Sequence, residues 1–162
     1  MSRFLPLIAV WAACEVGATD AAAVAYHDAI KPVFEQNRSL SGQLLTVALA
    51  MGEDPGAAEA ARGRLRSGYL VAARDVASSA SVLTVPDSWR GPHEALVGAW
   101  QARASGYDSL TAAADAGDAA AWAAALASLE RAREAEAAAV VVIETRLAAD
   151  GLVLNPWGAA GP

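Results

Sequence analysis

Reactive side chains are few in this chain, and they are scattered. Its single cysteine, Cys14, has no second thiol with which to form a disulfide or a multi-cysteine metal site. Of the two histidines, neither His27 nor His93 has a glutamate three residues before it, so the Glu-x-x-His pair of a di-iron bundle is missing. A c-type haem needs Cys-x-x-Cys-His, which one cysteine cannot supply. His27, next to Asp28, reads as a half-exposed helix residue, and His93, next to Glu94, as a capping or interior histidine. Ser78, Ser79 and Ser81 stand outside any Gly-x-Ser-x-Gly elbow, and Gly63 and Gly68 are too isolated to cradle phosphate. The short basic run Arg62-Gly-Arg-Leu-Arg66 reads as a solvated helix face paired with Glu59; contact with lipid headgroups or an acidic partner is the alternative. No metal, cofactor, nucleophile or acid–base pair is therefore expected, and no enzymatic activity.

Composition narrows the partners. The chain has 162 residues, enough for one domain, and carries a formal charge of −6. Nucleic-acid binding requires a basic stripe that such an acidic chain lacks. Apolar residues make up 55% of it, 43 of them alanine, enough for a continuous core. Eleven of the twelve basic residues are arginine, a bias that a GC-rich genome explains as well as any function.

Periodicity and punctuation together predict four helices. The first is capped at Thr19 or Asp20 and runs to Met51, where Gly52 stops it. Its apolar face is Tyr26, Ile30, Val33, Asn37, Leu40, Leu44, Val47 and Met51, and Pro32 within it predicts a kink or a later start. The second opens at Asp54-Pro55, carries Leu65, Tyr69, Ala72, Val76 and Leu83, and ends at Pro86. The third begins around Asp87 or Ser88, with Pro92 in its first turns. Trp89, His93, Leu96, Trp100, Arg103, Tyr107, Leu110 and Ala114 form its stripe. After Gly117, Asp118 caps the fourth, whose expected stripe is Trp122, Leu126, Leu129, Arg133, Glu136, Val140, Ile143 and Leu147, up to Asp150-Gly151. The β-branched run Val140 to Ile143 would suit a strand, but its flanks are strong helix formers and helix is expected. Rods of this length joined by short links predict an all-α, up-down-up-down antiparallel four-helix bundle over 20–151. The apolar tail, 152–162, is expected to fold back over one bundle end.

Polar residues on these stripes form the one unusual constellation. Asn37, Arg103, Arg133 and Glu136 all fall near helix midpoints, and Asp75 lies at a similar level. Midpoints meet in an antiparallel bundle, so these five are candidates for a buried polar layer whose members must satisfy one another or reach water. Drift of the stripes, with long arginines reaching outward to solvent, is the alternative. Such a layer would set helix register, as a buried asparagine does in coiled coils, or hold a small anion between Arg103 and Arg133.

The N-terminus speaks to address. Arg3 supplies a positive start, Phe4 to Trp11 an apolar run, and Ala12-Ala13 a small pair before Cys14, the layout of a secretory signal. Eight apolar residues are too few to cross a bilayer, which takes about 20. The stretch Val10-Trp-Ala-Ala-Cys14 resembles the lipobox of bacterial lipoproteins, with Trp11 where leucine is usual. That resemblance implies a signal peptide over 1–13, removed with Arg3 to leave a charge of −7, and a diacylglyceryl group on Cys14, held to the bundle by a tether over 14–19. Where enterobacterial sorting rules apply, Glu15 after the cysteine favours the outer membrane. Inert burial of Cys14 in an uncleaved helix is the alternative. The expected protein is a lipid-anchored module of the cell envelope, its partners the membrane and another protein. A small-molecule binding or sensing bundle that uses the polar layer is the second expectation.

Overall fold

A computed structural model describes residues 19–50 and 63–154, with side chains for 19–40, 63–64 and 66–154. The described residues are all-helical, without a strand among them, and four helices pack together. Helix α1 spans Ala21–Ala50. Its start is set locally: the Asp20 carboxylate accepts from the Ala22 N–H at 3.0 Å, relieving one of the orphan donors of the first turn. Pro32 lies exposed inside this helix, which begins well before it. Tyr26, Ile30, Val33, Asn37 and Leu40 are buried along one face. Leu44, Val47, Met51 and Gly52 lie outside the described residues or side chains.

Helix α2 covers Leu70–Ser81 and is entered through a π-helical turn, Leu65–Tyr69. Its expected opening at Asp54-Pro55 lies outside the described residues, as do Glu59 and Arg62. Two features of this region depart from the periodic reading. The buried face is Leu70, Ala73, Val76, Ala77 and Ala80, with Tyr69 and Ala72 only half-buried. A π turn takes an extra residue to close and rotates everything before it relative to everything after. The helix also ends at Ser81 rather than running on to Pro86, and Leu83 sits half-buried in the non-helical link. Pro86 disfavours helical geometry at Val85, and Thr84 and Val85 are β-branched.

Helix α3, Arg90–Ala116, follows a 3-10 turn at Asp87–Trp89. Pro92 falls in its first turn, where a missing N–H costs nothing. The helix closes on Gly117, whose φ of +64° is the left-handed region that glycine adopts without Cβ strain. Asp118 then accepts from the Ala120 and Ala121 N–H groups, both at 2.9 Å, and opens α4, Ala119–Ala149. Val140 to Ile143 are helical within it.

Helices α3 and α4 pack on each other more extensively than any other pair, and α2 packs on α3; α1 packs chiefly on α2 and touches α4 lightly. Residues at matching distances from the Gly117-Asp118 turn meet across α3 and α4. A Cβ added to Gly106 would lie 2.6 Å from Leu129 Cδ2, so the two backbones approach closely at that level. Leu110 and Ala125 share a small apolar cluster nearer the turn. The face of α4 turned inward is Ala125, Ala132, Ala139, Ile143 and Leu147. Leu126, expected there, is 46% exposed, and Val140 is half-buried. Where helices lie this close, alanine occupies the contact and larger neighbours turn aside. Beyond Gly151, Leu152 packs partly on the core and Leu154 is buried; Pro156 and Trp157 lie outside the described residues.

Candidate functional site

Three of the five candidate polar residues come together. Asn37 of α1 is buried, Arg103 of α3 has only 7% of its side chain exposed, and Glu136 of α4 has 15%. The Asn37 amide nitrogen donates to Glu136 Oε1 at 2.7 Å, and Arg103 Nη1 donates to Oε2 at 2.7 Å. A second guanidinium nitrogen, Nη2, donates to the Asn37 carbonyl oxygen and closes the ring. Trp100, one turn before Arg103, adds its indole N–H to Glu136 Oε1 at 2.9 Å. Phe34 leans on the same indole with centroids 6.5 Å apart.

Physical chemistry explains why this arrangement persists. A carboxylate taken out of water needs acceptor capacity filled from several directions, and Glu136 receives three donors from two helices. Arginine and glutamate cancel in charge, and asparagine, which both donates and accepts, bridges them. Beside the ring, burial pushes the Tyr107 hydroxyl to a pKa above its ordinary value, with smaller opposed contributions from Arg103 and Glu136.

Asp75 and Arg133 do not join the ring. Arg133 is exposed and turns along its own helix to Glu130, at 2.7 Å. It stands one residue, about 100° of helix, from the inward Ala132. Asp75 is exposed on α2, between Arg74, which pairs with Asp108 of α3, and the buried Val76. An anion held between Arg103 and Arg133 is thus incompatible with the fold: one guanidinium is spent on Glu136 and Asn37, and the other points to solvent.

A second buried polar cluster sits toward the bundle end where α1 begins. His93 is buried; its Nε2 lies 3.1 Å from the Ala80 carbonyl at the end of α2, and its Nδ1 lies 3.5 Å from the Tyr26 hydroxyl. The Tyr26 ring stacks on Trp89 at 4.5 Å and meets His93 edge-on. Arg146 of α4 also lies over the Trp89 ring, its guanidinium carbon 4.5 Å from the centroid. Burial lowers the His93 pKa below its ordinary 6.5, opposed more weakly by the Ala80 carbonyl and by Glu94, and it raises that of Tyr26. Sequence periodicity placed Tyr26, Trp89 and His93 on inward faces but carried no signal for Arg146. His27 lies half-buried at the surface, its ring nitrogens 3.0 Å from Asp28 Oδ1 and 3.3 Å from the Val153 carbonyl.

Among the described residues no group of three or more histidine, cysteine, aspartate or glutamate side chains could hold a metal ion. No described helix is long and apolar enough to cross a membrane. Of the basic run, Arg66 pairs with Asp115 of α3. Cys14 and the whole of 1–18 lie outside the described residues. No protein-family model, curated protein or solved structure matches this chain.

Proposed function

We propose that this protein is a lipid-anchored interaction module of the bacterial cell envelope, not an enzyme. The observation that carries the reading is the stretch Val10-Trp-Ala-Ala-Cys14 after an apolar run, only a few residues ahead of the Asp20 cap of α1. Acylated at Cys14, the domain would be held close against its membrane, since the tether of 14–19 spans at most about 20 Å. A diacylglyceryl group with an amide-linked chain supplies more than the single acyl chain that binds only marginally. Within this reading the four helices alternate up-down-up-down, antiparallel, and the tail after Gly151 closes the end beside the tether. Support for that placement comes from the Asp20 N–H donating to Asp150 at 3.0 Å and from the burial of Leu154.

The small-molecule alternative ranks second because the interior polar groups that would receive a ligand already bind one another. Mass spectrometry of the purified native protein addresses it directly: a co-purified small molecule would promote that reading. For the anchor, cells fed a palmitate analogue should label the wild-type chain and not Cys14→Ser, which should also leave the membrane fraction. Equal labelling and equal sedimentation of the two would remove the lipoprotein reading.

A further inference from the structure

Helix α4 carries two stripes of roughly heptad spacing, and among the described residues only one of them is buried. The inward stripe, through Ala125, Ala132, Ala139 and Ile143, packs on α3. Around the outer side of the helix run Ala124, Ala127, Arg131, Glu134, Ala138 and Val141, every one exposed, Val141 to 62%. Val142, 48% exposed, widens the apolar face. The spacing of three, four, three, four, three keeps these residues on one line of the helix, as in a coiled-coil seam.

This order reads the same in both directions about a point between Ala132 and Arg133. Set against a second copy running the opposite way, Ala127 faces the partner's Ala138 and Ala124 the partner's Val141. Arg131 faces the partner's Glu134, and the two-fold repeats that ion pair. Run parallel and in register, the same helices would set Arg131 against arginine and Glu134 against glutamate, an unfavourable pairing. Competition from the same helix is limited: Arg133 is held chiefly by Glu130, with only a smaller pull from Glu134, and Arg131 and Glu134, i,i+3 neighbours of each other, make no hydrogen bond with the described residues. Alanine along the seam allows the axes to approach at the short end of the usual 8–10 Å.

We infer that the outer face of α4 is an isologous interface at which two copies of this chain pair antiparallel, centred on reciprocal Arg131–Glu134 ion pairs. The inference does not depend on the lipid anchor. It does bear on it, because α1 begins at the Asp150 end of α4. The two tethers would leave opposite ends of a rod of 31 residues, about 46 Å long, so both reach one leaflet when the rod lies flat.

Sedimentation equilibrium of the purified full chain tests this. The wild-type average mass should climb from 16.5 kDa toward twice that value as loading rises. Arg131→Glu and Glu134→Arg, each placing like charges across the two-fold, should each hold the mass at the monomer while helical circular dichroism stays that of the wild type and melting matches the wild type at loadings where it too is monomeric. Combined in one chain, the two reversals restore both pairs and should restore the dimer, which a folding defect would not do. A wild-type chain that stays monomeric at every loading overturns the inference, whether the face is then covered by the chain's own termini or by a different protein. So do single reversals that dimerise like wild type, or a double reversal that does not recover.

Discussion

Two buried polar clusters, about 15 Å apart along α3 from His93 to Arg103, solve the same problem in different ways. At mid-bundle, Asn37, Trp100, Arg103 and Glu136 bury a charge pair and enclose it in a closed ring drawn from α1, α3 and α4. Toward the end, His93 is buried with two near neighbours, the Ala80 carbonyl and the Tyr26 hydroxyl, and meets the Tyr26 ring edge-on. The contrast teaches that a buried ion pair draws several partners from more than one helix, whereas a titratable group can be buried with fewer by remaining neutral. It follows that the ring fails when a partner is removed, and the end cluster fails when a proton is added.

The largest effect should come from breaking the ring on one side. Glu136→Ala leaves the Arg103 guanidinium buried without its counter-charge and should destabilise the fold by about 3–5 kcal/mol in urea denaturation. Removing both charges tests whether the ring contributes stability or only register. Arg103→Leu with Glu136→Leu should cost far less than Glu136→Ala alone, since well-packed apolar replacements of a buried pair are often neutral. If the double and single replacements cost the same, the ion pair is not the organising feature of the ring. Packing alone at the same helix contact is probed by Gly106→Ala. Its added methyl meets Leu129, and overpacking, partly offset by better helix propensity, should leave a net cost of about 1–2 kcal/mol.

Acid should act on the end cluster. Tyr26 of α1, the Ala80 carbonyl of α2 and Glu94 of its own helix act on His93, and Arg146 of α4 lies over Trp89, on which Tyr26 stacks. Because burial lowers its native pKa below 6.5, the unfolded chain binds the proton more readily than the folded one. The resulting loss of stability should begin as pH falls through about 6.5 and be complete below the native pKa. Thermal melts across that window should show the slope in wild type and a flatter profile in His93→Gln. An unchanged slope in His93→Gln would place the sensitivity elsewhere. The smallest change is Arg146→Ala, which removes the cation above Trp89 and should cost about 0.5–1 kcal/mol in the same melts.

Helix boundaries were legible wherever a local interaction sets them. Asp20 and Asp118 cap through their own side chains, and Gly117 terminates α3 through its own φ, so neighbouring residues suffice to find them. The stripes of α1 as far as Leu40 and of α3 as far as Leu110 were legible because large side chains, Tyr26, Ile30, Leu96 and Trp100, mark the buried face directly; at the alanine-rich end of α3 the buried residue is Ala113 and not the expected Ala114. For α4 that rule misleads. In an alanine-rich helix the inward positions at a close contact are the small ones, so reading the large residues as core assigns Leu126 and Arg133 inward in place of Ala125 and Ala132. Arg133 was lost from the polar layer for that reason, and the α2 stripe was displaced by a π turn that no residue pattern announces.

By itself, then, the sequence determined the helical character of the described residues, much of their punctuation, and the inward faces of α1 through Leu40 and of α3 through Leu110. Each of these follows from interactions within a few residues along the chain. Tertiary structure decided which polar residues meet, which face of α4 turns inward, and that His93 shares its end of the bundle with Tyr26, Trp89 and Arg146. Those outcomes depend on how closely helix axes approach, and that distance is set jointly by side chains from different helices.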